Sequence, residues 1–170
     1  ARAHGVTVLF DPNPRPTLWP SREAMIEATN TLAAKCDVFM PGLEEGQLFS
    51  GASNPHDIAR FYLDMGVGKV IIKLGDEGSA LFERGGDGGI GQTVVPSFTV
   101  DVVDTVGAGD GFASGVITAL LEGLDSEHLL ERANAVGAIQ VTSVSDSEGL
   151  PTADELRAFI ASAPRKELAM

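Results

Sequence analysis

Short apolar blocks alternate with longer amphipathic stretches along this chain, and the two kinds predict different elements. Thr7–Phe10, Asp37–Met40 and Lys69–Leu74 are apolar runs closed by turn residues, which predicts buried strands. Met25, Thr29 and Leu32 recur at helical spacing behind Ser21, a residue suited to an N-cap. Asn54-Pro55 predicts the start of another helix, with Ile58, Phe61, Tyr62 and Met65 on one face and Gly66 as its stop. Ser79–Glu83 and Gln92–Val95 flank Gly85-Gly86-Asp87-Gly88-Gly89, and a hairpin turn explains that glycine cluster better than a phosphate loop does. Phe112–Leu121 and Ser126–Thr142 read as helices, and Thr152-x-x-Glu155 as the capping box of a last one. Ala1–Gly5 reads as the tail of a helix, and Pro164–Lys166 as a frayed end.

Strands alternating with helices predict an α/β fold whose parallel sheet is covered on both faces. Ligands of such sheets bind at the carboxyl ends of the strands, where the turns named above fall. The chain shows no internal repeat and no linker, so one domain is expected over its 170 residues. A formal charge of −12 argues against nucleic acid or an anionic membrane as partner, and no apolar run reaches bilayer-spanning length. The one cysteine, Cys36, excludes an internal disulfide and suits a reducing, cytoplasmic setting as a small buried apolar residue. His4, His56 and His128 lack metal-ligand spacing, and Trp19 is expected to pack and close its loop.

The chemistry concentrates in Asp104-Thr105-Val106-Gly107-Ala108-Gly109-Asp110, which runs straight into a helix. Unpaired N–H groups at a helix start attract an anion, and glycines let backbone approach it closely. Asp110 would then stand beside the anion as a proton acceptor, a pairing suited to phosphoryl transfer to a hydroxyl. The same spacing also fits a glycine-rich strand-to-helix turn whose acid merely favours the helix dipole. No Gly-x-x-x-x-Gly-Lys-Ser/Thr loop occurs, and Phe112 stands where a dinucleotide fold needs its third glycine.

This run resembles the Asp-Thr-x-Gly-Ala-Gly-Asp signature of the ribokinase (PfkB) family of sugar kinases. The resemblance implies a ribokinase-like three-layer α/β/α fold with a mostly parallel sheet. It covers nearly all of residues 1–170, but only the C-terminal, nucleotide-binding part of the family pattern, without the N-terminal half and its β lid. It implies Asp110 as catalytic base and Gly107, Ala108 and Gly109 as the amide donors for the transferred group. Lys73-Leu74-Gly75-Asp76-Glu77-Gly78 is similar to the family's nucleotide-side motif, which implies nucleotide contacts at Lys73, Gly75 and Gly78; two plain turn glycines before a hairpin would look alike. Asn134 matches a position near adenine. Pro41-Gly42-Leu43-Glu44-Glu45 stands where the family shows Asn-x-x-Glu, so Glu45 is implied to organise magnesium through water, although Gly42 replaces the asparagine. Asp104 is implied to help hold a monovalent cation.

Two further stretches resemble the 2-keto-3-deoxygluconate kinases of that family. These are Asp11-Pro12-Asn13-Pro14-Arg15-Pro16-Thr17-Leu18-Trp19 and Asp146-Ser147-Glu148-Gly149-Leu150-Pro151. They imply Arg15 and Asp146 in a sugar pocket, and a guanidinium fork matches the carboxylate of a sugar acid. The implied reaction is ATP- and Mg2+-dependent phosphorylation of a sugar or sugar acid. A fructokinase or other sugar kinase, a catalytically silent nucleotide-binding fragment, and a structural assembly partner remain alternatives. An incomplete parallel sheet exposes an edge, so self-association into a homo-oligomer is expected.

Overall fold

Five strands form one sheet in the spatial order β1-β2-β3-β4-β5: β1 Leu9–Phe10, β2 Val38–Phe39, β3 Lys69–Lys73, β4 Gly78–Arg84 and β5 Ile90–Pro96. They belong to a computed structural model, which describes residues 1–86, 88–144 and 149–167. Leu9 pairs with Val38 and Phe10 with Phe39; Val38 in turn pairs with Lys69 and Phe39 with Val70, all in parallel. The short links from β3 to β4 and from β4 to β5 allow only antiparallel neighbours. Gly85 N–H to Gly89 O at 2.9 Å closes the expected hairpin. The helices are α1 Arg22–Ala33, α2 Leu43–Ser50, α3 Pro55–Asp64, α4 Ala108–Leu121, α5 Ser126–Gln140 and α6 Ala153–Ser162.

The chain packs as two compact units, Ala1–Gly75 with Ala80–Gln92, and Asp76–Ser79 with Thr93–Met170. The division runs through the hairpin strands, so no linker marks it in the sequence.

In the first unit, Val70, Ile71 and Ile72 of β3 are fully buried, as are Ala33, Phe39, Ile58 and Tyr62. The Tyr62 ring lies 4.4 Å from that of Phe39, and its hydroxyl donates to Asn30 Oδ1 at 3.0 Å. Asn30 Nδ2 donates to Phe49 O at 2.9 Å, which ties α1 to α2. Ser21 and Asn54 cap α1 and α3 as expected, each accepting a backbone N–H, an arrangement worth about 1 kcal/mol apiece. Two positions depart from the expected apolar faces. Leu32 is 53% exposed, with Ala33 taking the core position, and Phe61 is 37% exposed beside a fully buried Tyr62. In α3 the buried face is Ile58, Ala59, Tyr62 and Leu63, two adjacent positions per turn, which turns Phe61 outward. Cys36 is buried as expected, and loss of solvent, with Asp37 beside it, pushes its thiol up to about 11.

In the second unit, α4 and α5 lie close together. A Cβ on Gly115 would fall 2.7 Å from Ala133 Cα, and one on Gly111 would fall 3.2 Å from Gln140 Cβ. The two backbones therefore touch where only hydrogen fits. Phe98, Ala135 and Ala138 form a buried cluster covered by Leu156, Phe159 and Ile160 of α6. Thr152 and Glu155 form the expected capping box of α6. The tail is not frayed at Pro164–Lys166. Thr99 N–H bonds Pro164 O at 2.8 Å and Lys166 N–H bonds Ser97 O at 2.9 Å, so a short antiparallel bridge straps it beside Phe98. The Arg165 guanidinium adds to this by stacking over the Phe98 ring, 5.2 Å from its centroid.

Candidate active site

The start of α4 is built by a loop hung from the end of α5. Val103 N–H and Asp104 N–H both bond the carbonyl of Val141, the C-cap of α5, at 2.8 and 3.2 Å. Asp104 Oδ1 accepts the Val106 N–H at 3.0 Å, so this carboxylate shapes the loop. Gly107 then takes φ 80°, a left-handed conformation that a β-carbon resists, and its carbonyl begins the helix by accepting Gly111 N–H at 2.8 Å.

Four N–H groups at this helix start need acceptors outside the helix. The N–H of Ala108, expected among the open amide donors, instead turns toward Thr105 O at 3.3 Å within the turn. Those of Gly107, Gly109 and Asp110 have no acceptor among the described residues. Asp110 is exposed, with no cation paired to it among the described residues. The arrangement holds open donors at the positive end of a helix dipole beside a solvent-facing carboxylate. Chemically, it can bind an anion and accept a proton from a group lying against that anion.

The other second-unit candidates do different work. Asn134 is 5% exposed; its Oδ1 accepts from Ser79 Oγ at 2.9 Å and its Nδ2 donates to Val95 O at 3.0 Å and Pro96 O at 3.3 Å. These bonds pin α5 to the start of β4 and the end of β5. Gly78 has φ 120°, and a Cβ there would meet Val95 O at 2.2 Å, so the strand beside it already demands a glycine. In the turn before it, the Lys166 ammonium donates to Asp76 Oδ2 at 2.6 Å and holds that exposed carboxyl below its ordinary range.

In the first unit, Asp11, Gly42 and Lys73 stand at or just past the carboxyl ends of three adjacent parallel strands. Lys73 Nζ donates to Asp11 Oδ2 at 2.7 Å, with both side chains only 20% exposed, and Lys73 N–H bonds Pro41 O at 2.9 Å. Asp11 Oδ1 is buried with no partner among the described residues. The lysine was legible as a candidate, but its partner was not. An acid that closes a strand in a turn-rich sequence gives no sign that it will meet a residue 62 positions away. Glu45 folds back so that its Oε2 accepts the Gly42 N–H at 2.7 Å, capping its own helix. Arg15 is exposed and turns onto its own loop, donating to Asn13 O and Pro14 O at 3.3 Å and to Asn13 Oδ1. Trp19 does not close that loop tightly: it is 38% exposed and Leu18 is 80% exposed. Gly75 adopts φ 64° in open space, as a turn requires. Asp146 lies outside the described residues. Among the described residues no group of three or more His, Cys, Asp or Glu is placed to hold a metal ion, and no helix is long and apolar enough to cross a membrane.

Residues 1–153 match the family described as pfkB family carbohydrate kinase. The chain is 47% identical over 160 residues to 2-dehydro-3-deoxygluconokinase of Bacillus subtilis, covering 94% of this chain and 48% of that protein. Among solved structures, a PfkB protein from a Polaromonas species superposes with a TM-score of 0.77 at 44% identity, over 92% of this chain and 48% of that one. Aminoimidazole riboside kinase from Salmonella enterica, complexed with aminoimidazole riboside and an ATP analogue, gives a TM-score of 0.81 at 34% identity, over 95% of this chain and 54% of that one. These likenesses make the fold ribokinase-like. The chain spans about half the length of the curated relatives it matches.

Proposed function

The chain belongs to the pfkB family of carbohydrate kinases, and from that premise we propose that it carries the phosphoryl-transfer site of an ATP-dependent sugar-acid kinase, with 2-keto-3-deoxygluconate as acceptor. The observation that carries the proposal is the open set of amides at Gly107, Gly109 and Asp110 beside the exposed Asp110 carboxylate. ATP supplies the γ-phosphoryl group as co-substrate. The acceptor hydroxyl oxygen forms the new bond to phosphorus, the bond from phosphorus to the ADP oxygen breaks, and the hydroxyl proton passes to Asp110. In a loose transition state the carboxylate need only orient the hydroxyl and take its proton late. The amides at the start of α4 meet the charge on the phosphoryl oxygens, and the helix dipole adds to them.

Magnesium fits this chain through Glu45 rather than through a cage. A hydrated Mg2+ keeps most of its water and takes phosphate oxygens, so one carboxylate in the first turn of α2 suffices. When bound it neutralises phosphate charge. Asp104 remains the assigned neighbour of a monovalent cation. Lys73, Gly75 and Gly78 are each assigned nucleotide contacts, and Asn134 the position near adenine. Arg15 is assigned to the acceptor's carboxylate and Asp146 to the sugar pocket; the exposed Arg15 guanidinium is free to leave its own loop carbonyls. The likeness to the Bacillus subtilis kinase supports the sugar acid over fructose.

A coupled ADP-release assay with 2-keto-3-deoxygluconate, fructose and no acceptor tests this reading. Turnover should favour the keto-deoxy acid, and equal turnover of fructose would overturn the Arg15 assignment. Because the chain spans about half of its relatives, nucleotide binding without turnover is the second reading. Calorimetric ATP binding with no ADP release on any acceptor would establish it.

A further inference from the structure

The nucleotide-side turn carries two exposed carboxylates, Asp76 and Glu77, immediately before β4. A chain of net charge −12 repels a polyanion, and two of its negative charges placed at this turn oppose the binding that the turn is proposed to serve. The tail answers one of them. Lys166 reaches Asp76 from 90 residues away, and its own backbone is held in place by the bond to Ser97 O at 2.9 Å. Ser97 N–H in turn bonds Glu77 O at 3.3 Å, so tail, strand end and turn form one connected piece. Arg165 anchors the same strap through Glu131 on α5 and through the Phe98 ring. An ordinary surface ion pair loses most of its worth to side-chain disorder. This lysine is aimed by backbone bonds on both sides of Arg165, and less of that cost remains.

We propose that the C-terminal strap is a charge mask for the nucleotide site: Lys166 is a positioning residue that neutralises Asp76 so that the phosphates of ATP can approach the Asp76–Gly78 turn. This rests on the nucleotide reading of that turn. It goes beyond that reading by giving Lys166 and Asp76 opposite effects on affinity.

The test is calorimetric titration of the 170-residue chain with MgATP at low and high salt, for the wild type, Lys166→Ala, Lys166→Arg, Asp76→Asn and the Lys166→Ala/Asp76→Asn double variant. A mask predicts that Lys166→Ala weakens binding about three- to tenfold at low salt and much less at high salt. Lys166→Arg should retain affinity, Asp76→Asn should match or exceed the wild type, and the double variant should recover it. Equal losses in Lys166→Ala and Asp76→Asn would overturn the mask, because they would mean that the pair only braces the turn. Unchanged affinity throughout would overturn it as well. A wild-type chain that folds by circular dichroism yet binds no ATP would overturn the nucleotide reading itself, a different failure from the other two.

Discussion

Helices α2 and α4 begin alike and end up doing opposite things. Each opens on a glycine N-cap, Gly42 or Gly107, and each carries an acid three positions later, Glu45 or Asp110. At α2 the glycine is extended at φ −68°, and the longer glutamate reaches back 2.7 Å to the Gly42 N–H. The helix satisfies its own donor and occupies an oxygen of its own acid. At α4 the glycine is left-handed at φ 80°, the acid is one methylene shorter, and no such return bond forms. Donors and carboxylate both stay open. The proposed phosphoryl site rests on capping withheld at α4, whereas at α2 one oxygen of Glu45 is taken up by the cap and the other is left for the magnesium proposed there.

The sharpest way to break this contrast is to remove the open acid. Asp110→Asn should leave the circular dichroism spectrum and ATP affinity nearly unchanged. In an assay that registers turnover, it should cost about 10²- to 10⁴-fold in kcat; near-normal kcat would end its assignment as base. Next in size is the support beneath α4. Gly115→Ala must push a Cβ into the 2.7 Å gap to Ala133 Cα. Overpacking there should cost about 1–3 kcal/mol in denaturant unfolding, and should weaken ATP binding by displacing the helix start. Unchanged stability would mean that the two backbones are not as tightly joined as described.

Much of this fold was legible, and the reasons for the misses are physical. Strand runs, the caps at Ser21, Asn54 and Thr152, and the hairpin over Gly85–Gly89 depend on near neighbours, so local pattern reveals them. The exposure of Leu32 and Phe61 depends on how much room the sheet leaves, which no period encodes. The bonds that Asn134 makes to Ser79, Val95 and Pro96, 55, 39 and 38 residues away, leave no local trace either. The packing of Gly78 against Val95 O is equally hidden, since its turn-like sequence does not show the strand beside it. The strapped tail was missed for the same reason, since Lys166 carries no mark of Asp76. The α4 start was legible because its donors, turn and acid are contiguous in sequence.

The comparison of helix starts also separates stability from chemistry. Glu45→Ala removes a cap and should destabilise by about 0.5–2 kcal/mol, whereas Asp110→Ala should change unfolding free energy by no more than about 0.5 kcal/mol. Equal losses would show that Asp110 is a structural acid after all. The smallest effect belongs to a third helix start, α5, where Asp125 caps with a charged partner. The Asp125 carboxylate raises the pKa of exposed His128. A group raised on folding stabilises fully below its unfolded value, and that contribution disappears as pH rises through the folded value. The melting-temperature difference between wild type and His128→Ala should therefore be larger at pH 5.5 than at pH 8; a difference growing with pH would contradict the pairing.

Backbone amide chemical shifts, followed while ATP is titrated into the 170-residue chain, test the central claim most directly because both helix starts report in one experiment. The account predicts large shifts at Gly107, Gly109 and Asp110 and none of comparable size at the self-capped Gly42 N–H. Shifts absent from 107–110, or strongest at Gly42, would contradict it.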